Sequence, residues 1–151
     1  MAPRSSPPAT QRSIVLKRID HIGVIVDDLF RAKKFLESLG MTLHLEREIP
    51  ERQVKAAFYD VGDGARIELI EPTSPEARER RLGQGNKARI EHIAVETDDD
   101  IDTVIAAVRG LGVDFVAPQP VAIDGNLNAF TRPHTSEGIQ FQFVERGAAT
   151  A

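Results

Sequence analysis

The sequence predicts an α+β fold of two tandem βαβββ modules, whose curved mixed sheets surround an open cavity. An internal repeat carries this prediction, because IDHIGVIVDD, which begins at Ile19, recurs as IEHIAVETDD from Ile90. Each copy then runs into an amphipathic helical segment and reaches a Leu-Gly pair, at Leu39 and at Leu111. A repeat of this kind in a chain of 151 residues indicates one supersecondary unit used twice.

Each module is predicted to open with a strand that leads into a helix. Ile22, Val24 and Val26 recur at every second position, which is typical of a strand. The aspartates that follow suit a helix N-cap and first turn, and Gly40 and Gly112 suit left-handed positions at the helix ends. The remaining strands are predicted at 42–48, 54–61 and 66–71 in the first module and at 115–117, 127–131 and 139–145 in the second.

The repeat also predicts the domain organisation. Ser74 and Pro75 suit the N-cap and first position of a short helix between the modules. Its charges could contact an anionic substrate, but a solvated linker helix is the preferred interpretation. We expect one domain at 18–146, made of module one at 18–72, a linker at 73–88 and module two at 89–146, with disordered tails at 1–17 and 147–151.

Composition excludes several classes of function. The formal net charge is -4 with no basic block, so no nucleic-acid partner is expected. The chain has no cysteine, which excludes disulfides, cysteine zinc sites and thiol nucleophiles. No apolar run approaches the ~20 residues of a membrane span, and the N-terminal segment lacks the apolar middle of a signal peptide. These features predict a cytoplasmic protein that acts on a small molecule.

Four polar side chains are predicted to share the strand face opposite the helices. Strand side chains alternate between faces, so His21 lies opposite Ile22 and Glu68 lies opposite the apolar residues beside it. The second copy presents His92 and Gln142 in the same way. If these faces converge, two imidazoles, a carboxylate and a carboxamide suit a divalent ion such as Zn, Co, Ni, Fe or Mn.

Other interpretations of these residues stay open. A strand histidine is often a satisfied core residue, so the pattern alone supports a metal site and a structural role about equally. Glu91 precedes His92 but is expected to face away from it. His44 is interpreted as a strand-surface residue.

The motifs resemble those of the vicinal-oxygen-chelate (glyoxalase/bleomycin-resistance/dioxygenase) superfamily. The resemblance rests on DHIGVIVDDL, a second EHIAV, IELIEP and the closing strand. Within the superfamily, EREIPERQVKAAFYDVGDGARIELIEPTSPEA and GNLNAFTRPHTSEGIQFQFVE look most like methylmalonyl-CoA epimerase. The similarity spans roughly residues 18 to 145, and its Pro-Glu loop makes it more specific than a shared fold.

The resemblance implies a metalloenzyme. The family's metal ligands fall on His21, Glu68, His92 and Gln142, and its proton-abstracting glutamate falls on Glu51. A metal-polarised carbonyl acidifies the neighbouring C–H, and a carboxylate removes the proton. The resemblance also implies a homodimer.

Three positions depart from the family pattern. Gln142 stands where a glutamate is usual, Gln53 where the loop has glycine, and His134 where lysine is usual. Together they indicate a relative with a different substrate or reaction. We expect Gln53, Tyr59, His134 and Gln140 to line the substrate pocket.

The sequence therefore favours a metal-dependent isomerase that removes a proton alpha to a chelated carbonyl, for example that of an acyl thioester. A glyoxalase-type lyase or a pathway-specific isomerase or cyclase is the first alternative. A non-catalytic protein that binds a small molecule, as resistance proteins of the superfamily do, is the second.

Overall fold

The computed structural model describes residues 14–149 and confirms the α+β fold with two βαβββ modules. The helices are α1 Leu29–Ser38, α2 Pro75–Arg81 and α3 Ile101–Arg109. Short 3-10 turns occur at Pro50–Arg52 and Pro133–Thr135. The strands are β1 Leu16–Val26, β2 Thr42–Ile49, β3 Val54–Asp60, β4 Arg66–Pro72, β5 Ala88–Thr97, β6 Val121–Ile123, β7 Asn126–Phe130 and β8 Gln140–Glu145.

The contacts of the chain divide it into two compact units. Residues 19–94 form one, here called the site unit, and residues 14–18 together with 95–149 form the other, the second unit. Most of β5 thus belongs to the site unit. The module limits at 72 and 89 rest on the repeat and remain our interpretation of the sequence.

The site unit is a mixed sheet with the strand order β2-β3-β4-β1-β5. Strands β1 and β4 run parallel, with Gly23 opposite Glu68. Strand β3 runs antiparallel to β4, with Phe58 opposite Glu68. His21, Gly23, Phe58 and Glu68 therefore lie on one face, here called the ligand face.

Helix α1 covers the other face of the site unit. Its N-cap Asp28 accepts a hydrogen bond from the backbone N–H of Arg31, and Glu71 of β4 accepts one from the N–H of Leu29. Gly40 follows the helix with φ +91, the left-handed conformation that the sequence predicted. The apolar cluster beneath the helix comprises Val26, Leu29, Leu36, Ala57, Tyr59 and Leu69.

Helix α2 begins at the predicted Ser74 cap, whose hydroxyl accepts a hydrogen bond from the N–H of Ala77. The residue that ends it, Leu82, is only 2% exposed and packs with Ile25, Val54 and Ile70. The helix is therefore packed against the site unit rather than a solvated linker. Its apolar end closes one end of the ligand face.

The second unit repeats the capping arrangement. Glu145 accepts a hydrogen bond from the N–H of Ile101 at 2.7 Å, as Glu71 does from Leu29 in the site unit. Strands β6, β7 and β8 are consecutive antiparallel neighbours. The core beneath α3 comprises Ile101, Val104, Ile105, Val108, Phe115, Ala129 and Phe143.

One predicted strand of the second module was wrong. The expected strand at 115–117 is only an isolated bridge between Phe115 and Thr131, and the strand that the sequence missed is β6. Pro118 and Pro120 explain this, because proline has no N–H to continue a ladder.

The predicted tails are also partly ordered. Strand β1 begins at Leu16, and the backbone N–H of Gly147 donates to the side chain of Asn126. The remainder of the predicted tails, 1–13 and 150–151, lies outside the described residues. Within 14–149, no helix combines the length and apolar composition that a bilayer crossing requires.

Candidate metal centre

Three of the four predicted ligands meet on the ligand face of the site unit. They come from different strands: His21 from β1, Glu68 from β4 and His92 from β5. Glu68 Oε1 lies 3.4 Å from His21 Nε2 and 3.3 Å from His92 Nε2, and the two Nε2 atoms are 3.3 Å apart. Both histidines are buried, with 5% and 6% of their surface exposed.

This triangle fits a divalent ion. Ligand atoms about 2.0–2.1 Å from an ion at tetrahedral angles lie about 3.3–3.4 Å from one another. The observed spacings match that value, and two imidazole nitrogens with one carboxylate oxygen suit a borderline first-row metal. The His21, Glu68 and His92 group could therefore hold such an ion.

Each histidine is oriented by the carboxylate of the preceding residue. His21 Nδ1 lies 2.8 Å from Asp20 Oδ2, and His92 Nδ1 lies 3.1 Å from Glu91 Oε1. An Nδ1–H donated to a carboxylate leaves the lone pair on Nε2, the atom that faces the other ligands. Glu91 does not face away from His92 as expected, because its flexible side chain reaches the ring nitrogen nearer the backbone.

Helix α2 contributes to this arrangement through Arg81. Its Nε and Nη2 donate to the two oxygens of Glu91 at 2.9 and 2.7 Å. Arg89 adds a longer contact to the same carboxylate at 3.8 Å. A bidentate guanidinium–carboxylate pair fixes geometry as well as charge. The chain Arg81–Glu91–His92 therefore links the position of α2 to the orientation of a candidate ligand.

The charges of the site favour an ionised Glu68 and a protonated His92. Burial alone would raise the pKa of Glu68, but hydrogen bonds with His21 and His92 outweigh it and lower that pKa to about 2. Burial alone would lower the pKa of His92, but its hydrogen bonds with Glu68 and Glu91 raise it to about 9. At neutral pH an incoming cation must therefore displace a proton from this cluster.

Gly23 makes room for His92, and sequence reasoning missed this role. A Cβ at position 23 would overlap Cε1, Nδ1 and Nε2 of the imidazole, at separations that real Cβ atoms do not show. The sequence did carry a signal of this role, because a glycine inside a strand often marks the close approach of another group. The matching residue of the repeat is Ala94. An alanine could not replace Gly23, because its Cβ would overlap the His92 ring.

The fourth predicted ligand, Gln142, lies on β8 in the second unit. It is buried, and its amide nitrogen donates to Asn128 Oδ1 at 2.9 Å. The second unit also contains His134, which is exposed in the 3-10 turn, and Gln140, which is half-buried on β8. Their proposed contacts with metal or substrate remain predictions.

The Pro-Glu loop forms the 3-10 turn between β2 and β3. Glu51 is exposed there, and the turn ends at Gln53. Gln53 has a φ of 55, and its side-chain amide oxygen accepts a hydrogen bond from the Ser74 hydroxyl at 2.9 Å. The resemblance leads one to expect glycine at this position, and glycine adopts such a left-handed backbone without steric cost.

Tyr59 is a candidate that the structure places away from the site. Its side chain is 0% exposed and packs beneath α1, on the face opposite the ligand face. The neighbouring residue Phe58 lies on the ligand face instead, where its ring meets the His21 ring edge-on with centroids 5.3 Å apart. The expectation that Tyr59 lines a substrate pocket is corrected accordingly.

The chain matches the family model of the glyoxalase/bleomycin resistance protein/dioxygenase superfamily over residues 20–130. The match covers all three residues of the metal-ligand group. Members of this superfamily usually bind a divalent metal.

Several solved structures are similar over nearly their whole length. Methylmalonyl-CoA epimerase from Mycobacterium tuberculosis has a TM-score of 0.77 at 23% identity, with 91% of this chain and 93% of that chain covered. A variant of the Streptomyces coelicolor methylmalonyl-CoA epimerase, in complex with 2-nitronate-propionyl-CoA, has a TM-score of 0.72 at 27% identity, with 90% and 100% covered. A hypothetical protein from Bacillus halodurans C-125 has a TM-score of 0.71 at 30% identity, with 85% and 94% covered.

Proposed function

The chain belongs to the glyoxalase/bleomycin resistance/dioxygenase superfamily, and we propose that it is a metal-dependent isomerase of the epimerase type. The observation that carries the proposal is the buried His21–Glu68–His92 group, with a carboxylate behind each imidazole. Similarity to methylmalonyl-CoA epimerases, at 27% identity for the Streptomyces coelicolor enzyme, supports the choice of reaction.

His21, Glu68 and His92 would hold the ion, and Gln142 is proposed as the fourth ligand. When bound, the ion polarises a substrate carbonyl and so acidifies the neighbouring C–H. Glu51 is proposed as the base, and its carboxylate takes the α-proton and returns it to the substrate.

The substrate is proposed to be a compound with two oxygens in a 1,3 relationship, such as an acyl thioester bearing a second carbonyl group. Gln142 has no carboxylate to act as a second proton carrier, because a carboxamide has no useful proton affinity near neutral pH. A reaction in which Glu51 acts as the only base therefore fits these residues better than epimerisation with one base on each side. Gln53, His134 and Gln140 are proposed to contact the substrate, and the homodimer implied by the resemblance is part of the proposal.

The test has two readouts on the purified full-length chain. Metal content is measured for the wild type and for Glu68→Gln, with Glu76→Gln on the exposed side of α2 as the matched control. Deuterium incorporation from D₂O into methylmalonyl-CoA and other branched acyl thioesters is then followed by mass spectrometry. The proposal expects stoichiometric metal in the wild type and the control, loss of metal in Glu68→Gln, and exchange that requires Glu51.

Several outcomes would contradict the proposal. A wild-type protein that takes up no first-row divalent ion rules out the metal centre. A metal-loaded protein that turns over hemithioacetals, but exchanges no α-proton of a thioester, is a lyase. Tight binding of a small molecule without turnover of either class identifies a binding protein.

A further inference from the structure

A positively charged residue, Arg66, shares the ligand face with the metal-ligand group. Arg66 and Glu68 are two residues apart on β4, so their side chains leave the sheet on the same side, with Cα atoms about 7 Å apart. Arg66 is also directly opposite His21 in the parallel pairing of β1 with β4. Arg66 thus starts from the same row of the ligand face as two of the three candidate ligands, and its guanidinium contacts Asp60 on the β3 side of β4.

The orientation of Arg66 is set by Asp60. The Arg66 Nε donates to Asp60 Oδ1 at 3.0 Å across the β3–β4 pair. The other oxygen of Asp60 lies 3.7 Å from Nδ1 of His44, the residue that the irregular β2–β3 register leaves without a partner. Because the contact to Asp60 uses only Nε, the two Nη groups of Arg66 are available to bind a ligand.

The packing of the ligand face gives a bound molecule one direction in which to extend along β4. Beyond Glu68 on one side is Ile70, which is 4% exposed and covered by Leu82 at the end of α2. On the other side is Arg66, whose side chain is 25% exposed. Phe58, opposite Glu68, provides an apolar flank between the two positions. Along β4, a ligand whose oxygens are held at the metal-ligand group can therefore extend towards Arg66 but not past Ile70.

We propose that Arg66, oriented by Asp60, forms an anion subsite that binds a second carboxylate of the metal-chelated substrate. The inference rests on the proposed function, since it takes the His21–Glu68–His92 group as the place where the substrate is held. It adds a substrate class, namely compounds with a chelating pair of oxygens and an acidic group several bonds away. A planar guanidinium whose two Nη groups are free binds a carboxylate end-on through two parallel hydrogen bonds.

The experiment compares two probes on the cobalt-loaded protein. The first is 2-oxoglutarate, in which the 1,2 pair of oxygens of a 2-oxo acid head stands in for the 1,3 pair of the proposed substrate, and which has a distal carboxylate. The second is 2-oxopentanoate, which has the same carbon chain and the same head but no distal carboxylate. Affinities are measured by calorimetry and by the visible absorption of Co²⁺. The wild type is expected to bind 2-oxoglutarate roughly 10- to 100-fold more tightly, as a charge-assisted hydrogen-bonded pair would give.

Variants test whether Arg66 causes the tighter binding of 2-oxoglutarate. Arg66→Gln is expected to bind the two acids within about threefold of each other while keeping its affinity for 2-oxopentanoate. Arg66→Lys keeps a point charge without the planar fork, and is expected to restore only part of the preference. The matched control is Arg31→Gln, because Arg31 lies on α1 with 82% of its side chain exposed. Cobalt stoichiometry and thermal unfolding verify that each variant is folded and loaded.

The outcomes separate this proposal from the one on which it rests. A wild-type protein that does not load cobalt overturns the proposed function and the subsite together. A loaded wild type that binds both acids equally overturns the subsite alone, as does a preference that survives in Arg66→Gln. A preference lost equally in Arg31→Gln shows a general effect of net charge and also overturns it.

Discussion

The backbone of Gly23 lies directly against the imidazole of His92, so that a Cβ at position 23 would overlap three atoms of the ring. One glycine on β1 thus decides where a candidate ligand on β5 can sit. The same glycine is opposite Glu68 in the β1–β4 pairing, so the backbone at this point adjoins two of the three candidate ligands.

Gly23→Ala is expected to displace the His92 ring and weaken metal binding by roughly 10- to 100-fold, the loss typical when the orientation of a ligand is disturbed. Overpacking should also lower the free energy of unfolding by about 1–3 kcal/mol. Cobalt titration and urea denaturation measure the two effects.

A double-mutant cycle tests whether the steric effect of Gly23→Ala acts through the His92 ring. In a His92→Ala background the ring is gone, so adding Gly23→Ala should cost little further stability. A full loss of stability in that background would show that the glycine is required for another reason.

The Arg81–Glu91–His92 chain predicts that metal affinity depends on helix α2. Glu91→Gln is expected to lower the affinity about 10- to 100-fold, because the His92 ring loses its charged Nδ1 acceptor. Arg81→Gln leaves the carboxylate in place but removes its bidentate partner, so its effect should be smaller. Arg80→Gln on the exposed side of the same helix is the control.

Nitrogen NMR of His92 distinguishes this positioning role from general destabilisation. With metal removed by a chelator, and at a pH above the His92 pKa of about 9, the neutral wild-type ring should carry its proton on Nδ1, and the Glu91→Gln variant should show a weaker preference for that tautomer. Loss of affinity with an unchanged tautomer would contradict the role of Glu91.

Metal binding is expected to strengthen as the pH rises. Burial opposes the charged form of His92, but Glu68 and Glu91 outweigh it and raise its pKa to about 9 in the metal-free protein. Below that pH a cation must displace the His92 proton, so affinity should fall up to tenfold for each unit of decreasing pH. Competition with a chromophoric chelator between pH 6 and 8.5 measures the slope, and a flat profile would contradict the proton-displacement account.

Gln142→Glu is expected to increase racemisation of methylmalonyl-CoA relative to the wild type. A carboxylate can carry a proton at the second face of the substrate, whereas the carboxamide cannot. Polarimetry or coupled mutase assays measure the rate, with Gln140→Glu on the same strand as a charge-matched comparison. Wild-type racemisation that is already fast, with no gain in the Gln142→Glu variant, would show that the carboxamide is no obstacle.

Much of the fold could be predicted from the sequence, because it depends on interactions within short segments. The repeat, the aspartate caps and the positive-φ glycines after the helices are properties of short segments, so they could be recognised without knowing the packing. The alternation of strand side chains was enough to select His21, Glu68 and His92 as candidate ligands, because each strand has only two faces.

Only the tertiary structure decided which groups support those ligands. The periodicity of a strand specifies neither its neighbours in the sheet nor its register with them. A shift of one residue in that register exchanges the two faces. For that reason Phe58 rather than Tyr59 proved to lie beside His21. The contact of Arg81 with Glu91 and that of Gly23 with His92 depend on how α2 and β1 pack against β5. Such contacts join side chains far apart in the chain, and their distances are set by packing across the unit rather than by local sequence.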